Sequence, residues 1–207
     1  MKVAVAESLE SGHSYLQYRS VVSELLHQGK STGNDQSDVL AHYTLLNETR
    51  MNRLDKKMVV PQDIIQKLLS LRKKFIWLVL SEGWCGDSAQ LLPVLNKLAV
   101  LSHNIELKIV FRDENEHLMK MFLTNGTKSI PKVIIIESET LKVCGSWGPR
   151  PKGATELIKS YTRQYGHFDD TAKTELQLWY LHDKGLSTQD ELVTLMLHLE
   201  QMCPQKP

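Results

Sequence analysis

The sequence predicts an α/β protein whose mixed centre is flanked by two helical segments. Three observations predict this class. The apolar pattern is helical over residues 1–74, it switches repeatedly between strand-length runs and helical spacing over 75–166, and it is helical again over 167–207. A chain of 207 residues can bury one large core. We therefore predict one compact domain with a helical N-terminal extension, an α/β core and a C-terminal helical hairpin.

The N-terminal extension contains three stretches with apolar residues at helical spacing. A polar segment from Gly29 to Asp38 separates the first two, and the third helix is predicted to start at Pro61, a favoured first-turn residue. The apolar positions are Tyr15, Tyr18, Val22, Leu25 and Leu26, then Val39, Tyr43, Leu46 and Leu54, then Ile64, Ile65, Leu68, Leu69 and Leu71.

The core region alternates between short apolar runs and helical patterns. The predicted order is strand 75–80, helix 87–101, strand 105–111, helix 114–123, strands 133–136 and 141–144, and helix 153–165. The last two strands are close enough in sequence to pair as an antiparallel hairpin. Pro93 lies inside the first of these helices and is expected to bend it, because proline removes an intrahelical hydrogen bond.

The C-terminal segment predicts two further helices. Leu176, Trp179 and Tyr180 lie on one face, and Gly185 ends that segment. Thr188 and Glu191 form a capping-box signature, which predicts that the last helix begins there.

Composition argues against several classes of function. Lys+Arg 25 and Asp+Glu 24 give a formal net charge of +1, so we expect no nucleic-acid or membrane partner. The basic cluster Arg50, Arg53, Lys56 and Lys57 is interpreted as a solvated helix face. The N-terminus does not resemble a secretory signal and no apolar stretch is long enough for a membrane span, so a cytoplasmic location is expected. No metal motif and no cofactor motif is found.

Cys85 is the residue most suited to chemistry, because it lies where a strand ends and a helix begins. Free amide groups and the positive end of a helix dipole stabilise a thiolate at such a position. Ser88 can add a hydrogen bond to the sulfur, whereas the anionic Asp87 opposes a second negative charge beside it. A buried structural thiol is the alternative interpretation of Cys85.

Several motifs together resemble the thioredoxin superfamily. They are Trp84-Cys85-Gly86 after an apolar strand, Pro93 eight residues beyond the cysteine, and Ser129-Ile130-Pro131-Lys132 before a later strand. The resemblance implies a three-layer α/β/α fold with a mixed sheet, a cis peptide bond at Pro131, and an Ile130 that faces Cys85 and pairs with substrate. An ordinary trans proline is the alternative.

More narrowly, the sequence resembles a bacterial branch of thioredoxin-like proteins that often carry one active-site cysteine followed by Gly-Asp. The matching segments are 82–90, 112–115, 123–126 and 147–151. Two features depart from ordinary thioredoxins. Ser88 replaces the second cysteine, and Val79 stands where thioredoxins bury a carboxylate that helps to deprotonate the resolving thiol.

The resulting functional hypothesis is single-cysteine thiol-disulfide exchange with protein or small-molecule thiols and disulfides as partners. The catalytic residues predicted for it are Cys85, Ser88 and Pro131, and the substrate-binding residues are Trp84, Gly86, Asp87, Ile130 and Gly145. A non-catalytic binding module for a partner protein is the main alternative, and an iron-sulfur or glutathione-handling monothiol protein ranks below it. Cys144 is interpreted as a core residue, although a resolving pair with Cys85 stays open, and Cys203 as incidental.

Overall fold

A four-stranded mixed sheet lies at the centre of the protein, whose computed structural model describes residues 1–202. The strands are β1 (Phe75–Ser81), β2 (Ile105–Phe111), β3 (Lys132–Glu137) and β4 (Lys142–Trp147), in the spatial order β2-β1-β3-β4. β1 pairs in parallel with β2 and antiparallel with β3, and β3 and β4 form the predicted antiparallel hairpin. The predicted α/β class is confirmed.

Helices surround the sheet and make up both extensions. They are α1 (Lys2–Glu10), α2 (Tyr15–His27), α3 (Asp38–Lys57), α4 (Gln62–Leu69), α5 (Gly86–Leu101), α6 (Glu116–Met121), α7 (Lys152–Tyr165), α8 (Asp170–Asp183) and α9 (Leu186–Met202). No helix in the described part of the chain is long and apolar enough to cross a membrane.

The two faces of the sheet belong to two separate apolar clusters, because side chains alternate along each strand. Phe75, Trp77 and Val79 face a large cluster built with residues of α2, α4, α5 and α9. The alternate residues of β1 face a smaller cluster, to which α1 and α6 contribute Val5 and Leu118. This arrangement is the three-layer fold that the resemblance implies.

Helix α5 is central to the protein and nearly every position along its first ten residues is buried. The apolar residues Leu91, Leu92, Val94, Leu95 and Leu98 favour this interior position, and the polar residues Asp87, Ser88 and Gln90 near the start of the helix are buried with them. Pro93 lies inside α5 as predicted. The burial of α5 holds its first residue, Gly86, and the cysteine before it, in a fixed position relative to the sheet.

Five local predictions differ from the structure, one of them at β4, which ends at Trp147, three residues beyond the predicted 141–144. Helix α1 was not predicted, α6 is shorter than the predicted 114–123, and the helical segment predicted around Pro61 begins one residue later, at Gln62. The capping box at Thr188 is wrong, because α9 already begins at Leu186 after the short turn at Gly185. Cys203 lies outside the described residues.

Glu191 has a different role from the predicted one. Its carboxylate accepts hydrogen bonds from the Lys152 amide (2.7 Å), at the start of α7, and from the Trp147 indole (3.0 Å). A capping contact within one helix is therefore replaced by a contact that joins α9 to the end of β4.

We predict that limited proteolysis of the full chain will not release a stable fragment of residues 75–165. The apolar faces of α2, α4 and α9 are part of the same buried cluster as the sheet, so removing them would expose a large apolar surface. The measurement is a proteolysis time course followed by mass spectrometry. Clean accumulation of that fragment would contradict the prediction and would indicate separable extensions.

Candidate functional site

Cys85 lies in the tight turn between β1 and α5, where its sulfur has two backbone partners. The Cys85 amide donates to the Glu82 carbonyl at 3.1 Å, which closes the turn. The Ser88 amide donates to Cys85 Sγ at 3.4 Å, so the cysteine occupies the N-cap position of α5. The thiol itself donates to the Ile130 carbonyl, with 3.4 Å between sulfur and oxygen.

The Ile130-Pro131 peptide bond is cis, as the resemblance implies, and Ile130 lies directly against Cys85. The start of β3 therefore meets the start of α5 at the sulfur. Both predictions about this turn are confirmed.

The electrostatic environment of Cys85 differs from the expected one. Burial of the thiol, which is 7% exposed, together with the neighbouring Asp87 carboxylate, raises the pKa of Cys85 to about 11. Hydrogen bonding from Ser88 and the Asp87 amide opposes this increase without overcoming it. The expectation of a thiolate stabilised at the helix start is wrong, because the loss of solvation outweighs the helix N-terminus.

Asp87 is the charged centre of the site and is itself buried, with 8% exposure. Arg150 contacts one carboxylate oxygen through two nitrogens, at 2.7 and 2.8 Å. The Tyr180 hydroxyl donates to the other oxygen at 2.8 Å. Burial and this carboxylate together raise the pKa of Tyr180 well above its usual value, which keeps the phenol protonated as a donor.

The loop after β4 brings Arg150 to the site. Its Gly148-Pro149 bond is a second cis peptide that the sequence analysis missed. Lys132, buried in the strand that follows Pro131, donates through Nζ to the Gly148 carbonyl (3.3 Å) and to the Thr124 hydroxyl (2.6 Å). Burial lowers the pKa of Lys132. This lysine therefore ties two loops of the site to β3.

The N-terminal extension holds the turn that precedes Cys85. Asn47 of α3 donates to the Gly83 carbonyl at 2.9 Å, and the Gly83 amide donates to the Thr32 hydroxyl at 2.8 Å. Thr32 in turn donates to the fully buried Glu82 carboxylate, whose other oxygen accepts from the Asp113 amide at 2.9 Å. Burial raises the pKa of Glu82 despite these hydrogen bonds.

An open groove of about 380 Å³ lies above Cys85. Among the predicted site residues it is lined by Trp84, Cys85, Gly86, Asp87 and Ile130. Ser88 is almost fully buried below it, and its hydroxyl is without a hydrogen-bond partner among the described residues. The sequence-predicted residues of the α5 start and the cis-proline turn are thus brought together.

Gly145 is a correction to the predicted site. It pairs with Ile135 in the middle of the β-hairpin, and an added Cβ there would lie 3.1 Å from the side chain of Leu199. The absence of a side chain at Gly145 therefore accommodates α9 and has no relation to the groove. The groove is lined instead by Pro149 and Arg150, which belong to the loop that follows β4.

Cys144 does not lie near Cys85. It packs against the large apolar cluster on one face of the sheet, whereas Cys85 belongs to the smaller cluster on the other face. Cys144 also lies beside the β3 segment Ile135–Ile136. Ile135 is five residues along the chain from Ile130, and five residues of extended strand span about 16 Å. A disulfide needs Cα atoms about 4.4 to 6.8 Å apart, so this geometry excludes the resolving pair that the sequence left open.

Most of the groove wall comes from α3, α8 and loops distant in sequence, and no sequence motif predicted it. The missed lining residues are Tyr43, Arg50, Arg112, Lys128, Ser129, Pro149, Arg150, Phe168, Lys173, Leu176 and Gln177. The prediction that Arg50 belongs to a solvated basic face is wrong, because its guanidinium is half-buried and points at the site. Within residues 1–202, no cluster of His, Cys, Asp or Glu side chains could hold a metal ion.

The comparisons with known proteins agree with the fold. A family model described as thioredoxin matches residues 33–164. A crystal structure of a Pseudomonas aeruginosa protein of unknown function has a TM-score of 0.58 and 20% identity, over 90% of this chain and 98% of that one. An HIV epitope-scaffold has a TM-score of 0.56 and 22% identity, over 93% of this chain and all of its own. No curated protein matches the sequence.

These two structures share the fold, and their coverage extends into both helical extensions. The family model spans more than half of the sequence and includes Cys85 and Pro131. The chain belongs to the thioredoxin family.

Proposed function

We propose that the protein carries out thiol-disulfide exchange through the single thiol of Cys85. One observation carries this proposal: the sulfur lies at the base of an open groove, between the Ser88 amide and the Ile130 carbonyl beside a cis-proline. An extended substrate in the groove would pass over both backbone segments. Its disulfide would then be close to the sulfur.

The chemical step begins when the Cys85 thiol loses its proton to solvent. The thiolate attacks one sulfur of the substrate disulfide, so a Cys85–substrate disulfide forms while the original sulfur–sulfur bond breaks. The departing sulfur leaves as a thiolate and takes up a proton. An external thiol, of a small molecule or of a protein, then attacks the substrate sulfur in the mixed disulfide and regenerates Cys85. Because Ser88 cannot resolve the intermediate, this external thiol is required.

The raised pKa makes Cys85 a slow nucleophile in the resting protein. With a pKa of about 11, about one thiol in ten thousand is ionised at pH 7. The thiol also donates to Ile130, a contact that a thiolate cannot make. We infer that exchange becomes faster when a bound substrate displaces this contact, so that disulfides which fit the groove react faster than disulfides which do not.

The same burial supports a second candidate, a non-catalytic binding module that uses the groove for a partner protein. A thiol that is 7% exposed and protonated is compatible with a structural role. The two candidates differ in one observable: only exchange forms a covalent mixed disulfide at Cys85.

We predict that full-length protein incubated with an excess of hydroxyethyl disulfide forms a mixed disulfide at Cys85, detectable by peptide mass spectrometry. Cys85→Ser should abolish this adduct, and the matched control Cys144→Ser should keep it. An inert Cys85 in folded protein, with normal labelling after unfolding, would favour the binding module.

We predict that Asp87→Asn lowers the pKa of Cys85, because it removes a negative charge beside the sulfur and leaves Arg150 unneutralised. The measurement is the rate of Cys85 alkylation by iodoacetamide against pH, which in the wild type should keep rising to about pH 11. The variant profile should level off at lower pH. Tyr180→Phe is the control: it removes one hydrogen bond from Asp87, costs about 1 to 2 kcal/mol of stability, and should leave the profile close to that of the wild type. Superimposable profiles for Asp87→Asn and wild type would contradict the prediction.

We predict that Ser88→Cys forms a disulfide with Cys85 on mild oxidation. The Ser88 amide already lies 3.4 Å from the sulfur, and the Ser88 hydroxyl is buried in the same turn, so the new thiol replaces it with little change in volume. Non-reducing peptide mapping detects the bond, and an insulin-reduction assay should show a partial gain of activity, since Val79 provides no carboxylate to deprotonate the new thiol. Two free thiols in a folded, oxidised variant would be the opposite result.

A further inference from the structure

We propose that the substrate carries a carboxylate close to its reacting disulfide, and that Arg50 binds this carboxylate. The inference deepens the proposed exchange at Cys85 and rests on it. It assigns a specificity-determining role to a residue that the sequence pattern placed on a solvated face.

The charges around the groove are unevenly distributed. Among the described residues, five cationic side chains line it and Asp87 is the only acidic lining residue. The cations are Arg50, Arg112, Lys128, Lys173 and Arg150. Four of the five form ion pairs with carboxylates: Arg112 with Asp113, Lys128 with Glu116, Lys173 with Asp170, and Arg150 with Asp87. No carboxylate among residues 1–202 forms an ion pair with Arg50, so its charge is the one left over.

The position of Arg50 is defined by its neighbours. Its Nη1 donates to Asn47 Oδ1 at 2.8 Å, and the same Asn47 holds the Gly83 carbonyl before Cys85. Burial, together with repulsion from Arg53, lowers the pKa of Arg50, and an anion would relieve both effects. Arg50 is therefore a fixed donor with unsatisfied charge rather than a mobile surface side chain.

A second hydrogen-bond donor, Gln177, faces the same space above Gly86 as Arg50 does. A Cβ added to Gly86, the residue after Cys85, would lie 3.6 Å from both Arg50 Nη1 and Gln177 Nε2. The side-chain oxygen of Gln177 accepts from Gln90 at 2.7 Å, which fixes the amide so that its nitrogen faces the groove. The space above Gly86 is therefore bounded by a guanidinium and an amide NH₂. A carboxylate is the group that accepts from both.

Asp87 opposes an incoming anion less than an unpaired carboxylate would, because Arg150 pairs with one of its oxygens and Tyr180 donates to the other. The aromatic walls are also covered by cations, since Arg112 lies over the Trp84 ring (4.9 Å) and Lys173 over the Tyr43 ring (5.6 Å). The preference of the groove for a negatively charged ligand is therefore strongest beside Gly86, where Arg50 lies.

The experiment uses the full chain and three aliphatic disulfides of similar size. Dithiodipropionate is negatively charged, hydroxyethyl disulfide is neutral, and cystamine is positively charged. The rate of mixed-disulfide formation at Cys85 is measured by quenching and mass spectrometry at low ionic strength. We expect the negative probe to react about tenfold faster than the neutral one, an effect in the range of a charge-assisted contact, and cystamine to react slowest. Added salt should reduce these ratios.

Variants of Arg50 and Arg53 test which residue causes the preference for the negative probe. Arg50→Gln should bring the rate ratio of the negative to the neutral probe close to one, and Arg50→Lys should restore part of it. Arg53→Gln is the matched control, because Arg53 lies one turn along α3 and lines a different cavity. It should retain the wild-type ratio.

The outcomes separate this inference from the proposed function. Failure of all three probes to modify Cys85 would overturn the exchange itself. Reaction of all three with equal rates, or a preference unchanged by Arg50→Gln, would overturn the anion assignment while exchange stands. A peptide disulfide with Asp beside its cysteine is then compared with the same peptide carrying Asn. This comparison distinguishes a protein substrate from a small acidic disulfide. A preference for the Asp peptide that is larger than the preference for dithiodipropionate indicates a protein substrate.

Discussion

A buried carboxylate beside the thiol, Asp87, imposes the constraint on which the rest of the site depends. A charge that is removed from solvent must be neutralised and hydrogen-bonded, because an unpaired buried charge lowers the free energy of unfolding by several kcal/mol. Arg150 and Tyr180 supply these contacts, the first from the loop after β4 and the second from α8. The geometry around Cys85 can therefore form only when the β-hairpin loop and the C-terminal extension are both in place.

The N-terminal extension contributes in the same way from the other side. Thr32 and Asn47 hold Glu82 and Gly83, the residues immediately before Trp84 and Cys85. The extensions are for this reason structural parts of the site. Arg50, the cation to which we assign substrate recognition, also belongs to the N-terminal extension and lies above the first residue of α5.

Two opposing effects act on Cys85, and their magnitudes decide the result. A helix N-terminus stabilises a charge by about 0.3 to 1 kcal/mol at ordinary sites and up to about 2 kcal/mol at partly buried ones. A rise in pKa from 9.0 to about 11 corresponds to about 3 kcal/mol against the thiolate. Burial and Asp87 together thus outweigh the helix, so reactivity must come from what a substrate changes when it occupies the groove.

The sequence by itself determined the alternation of strands and helices and the position of Cys85 before α5, because each depends on local periodicity or on a short motif. The cis-proline turn against Cys85 was implied by the resemblance to the thioredoxin superfamily. Only the tertiary structure decided that Asp87 is paired, that Gly145 packs against α9, that Cys144 lies on the opposite face of the sheet, and that Arg50 reaches the groove. These facts depend on contacts between segments distant along the chain. The pKa of Cys85 also depends on the tertiary structure, because burial is a property of the packed fold. The sequence shows where the helix starts, but it does not show how deeply the thiol at that position is buried.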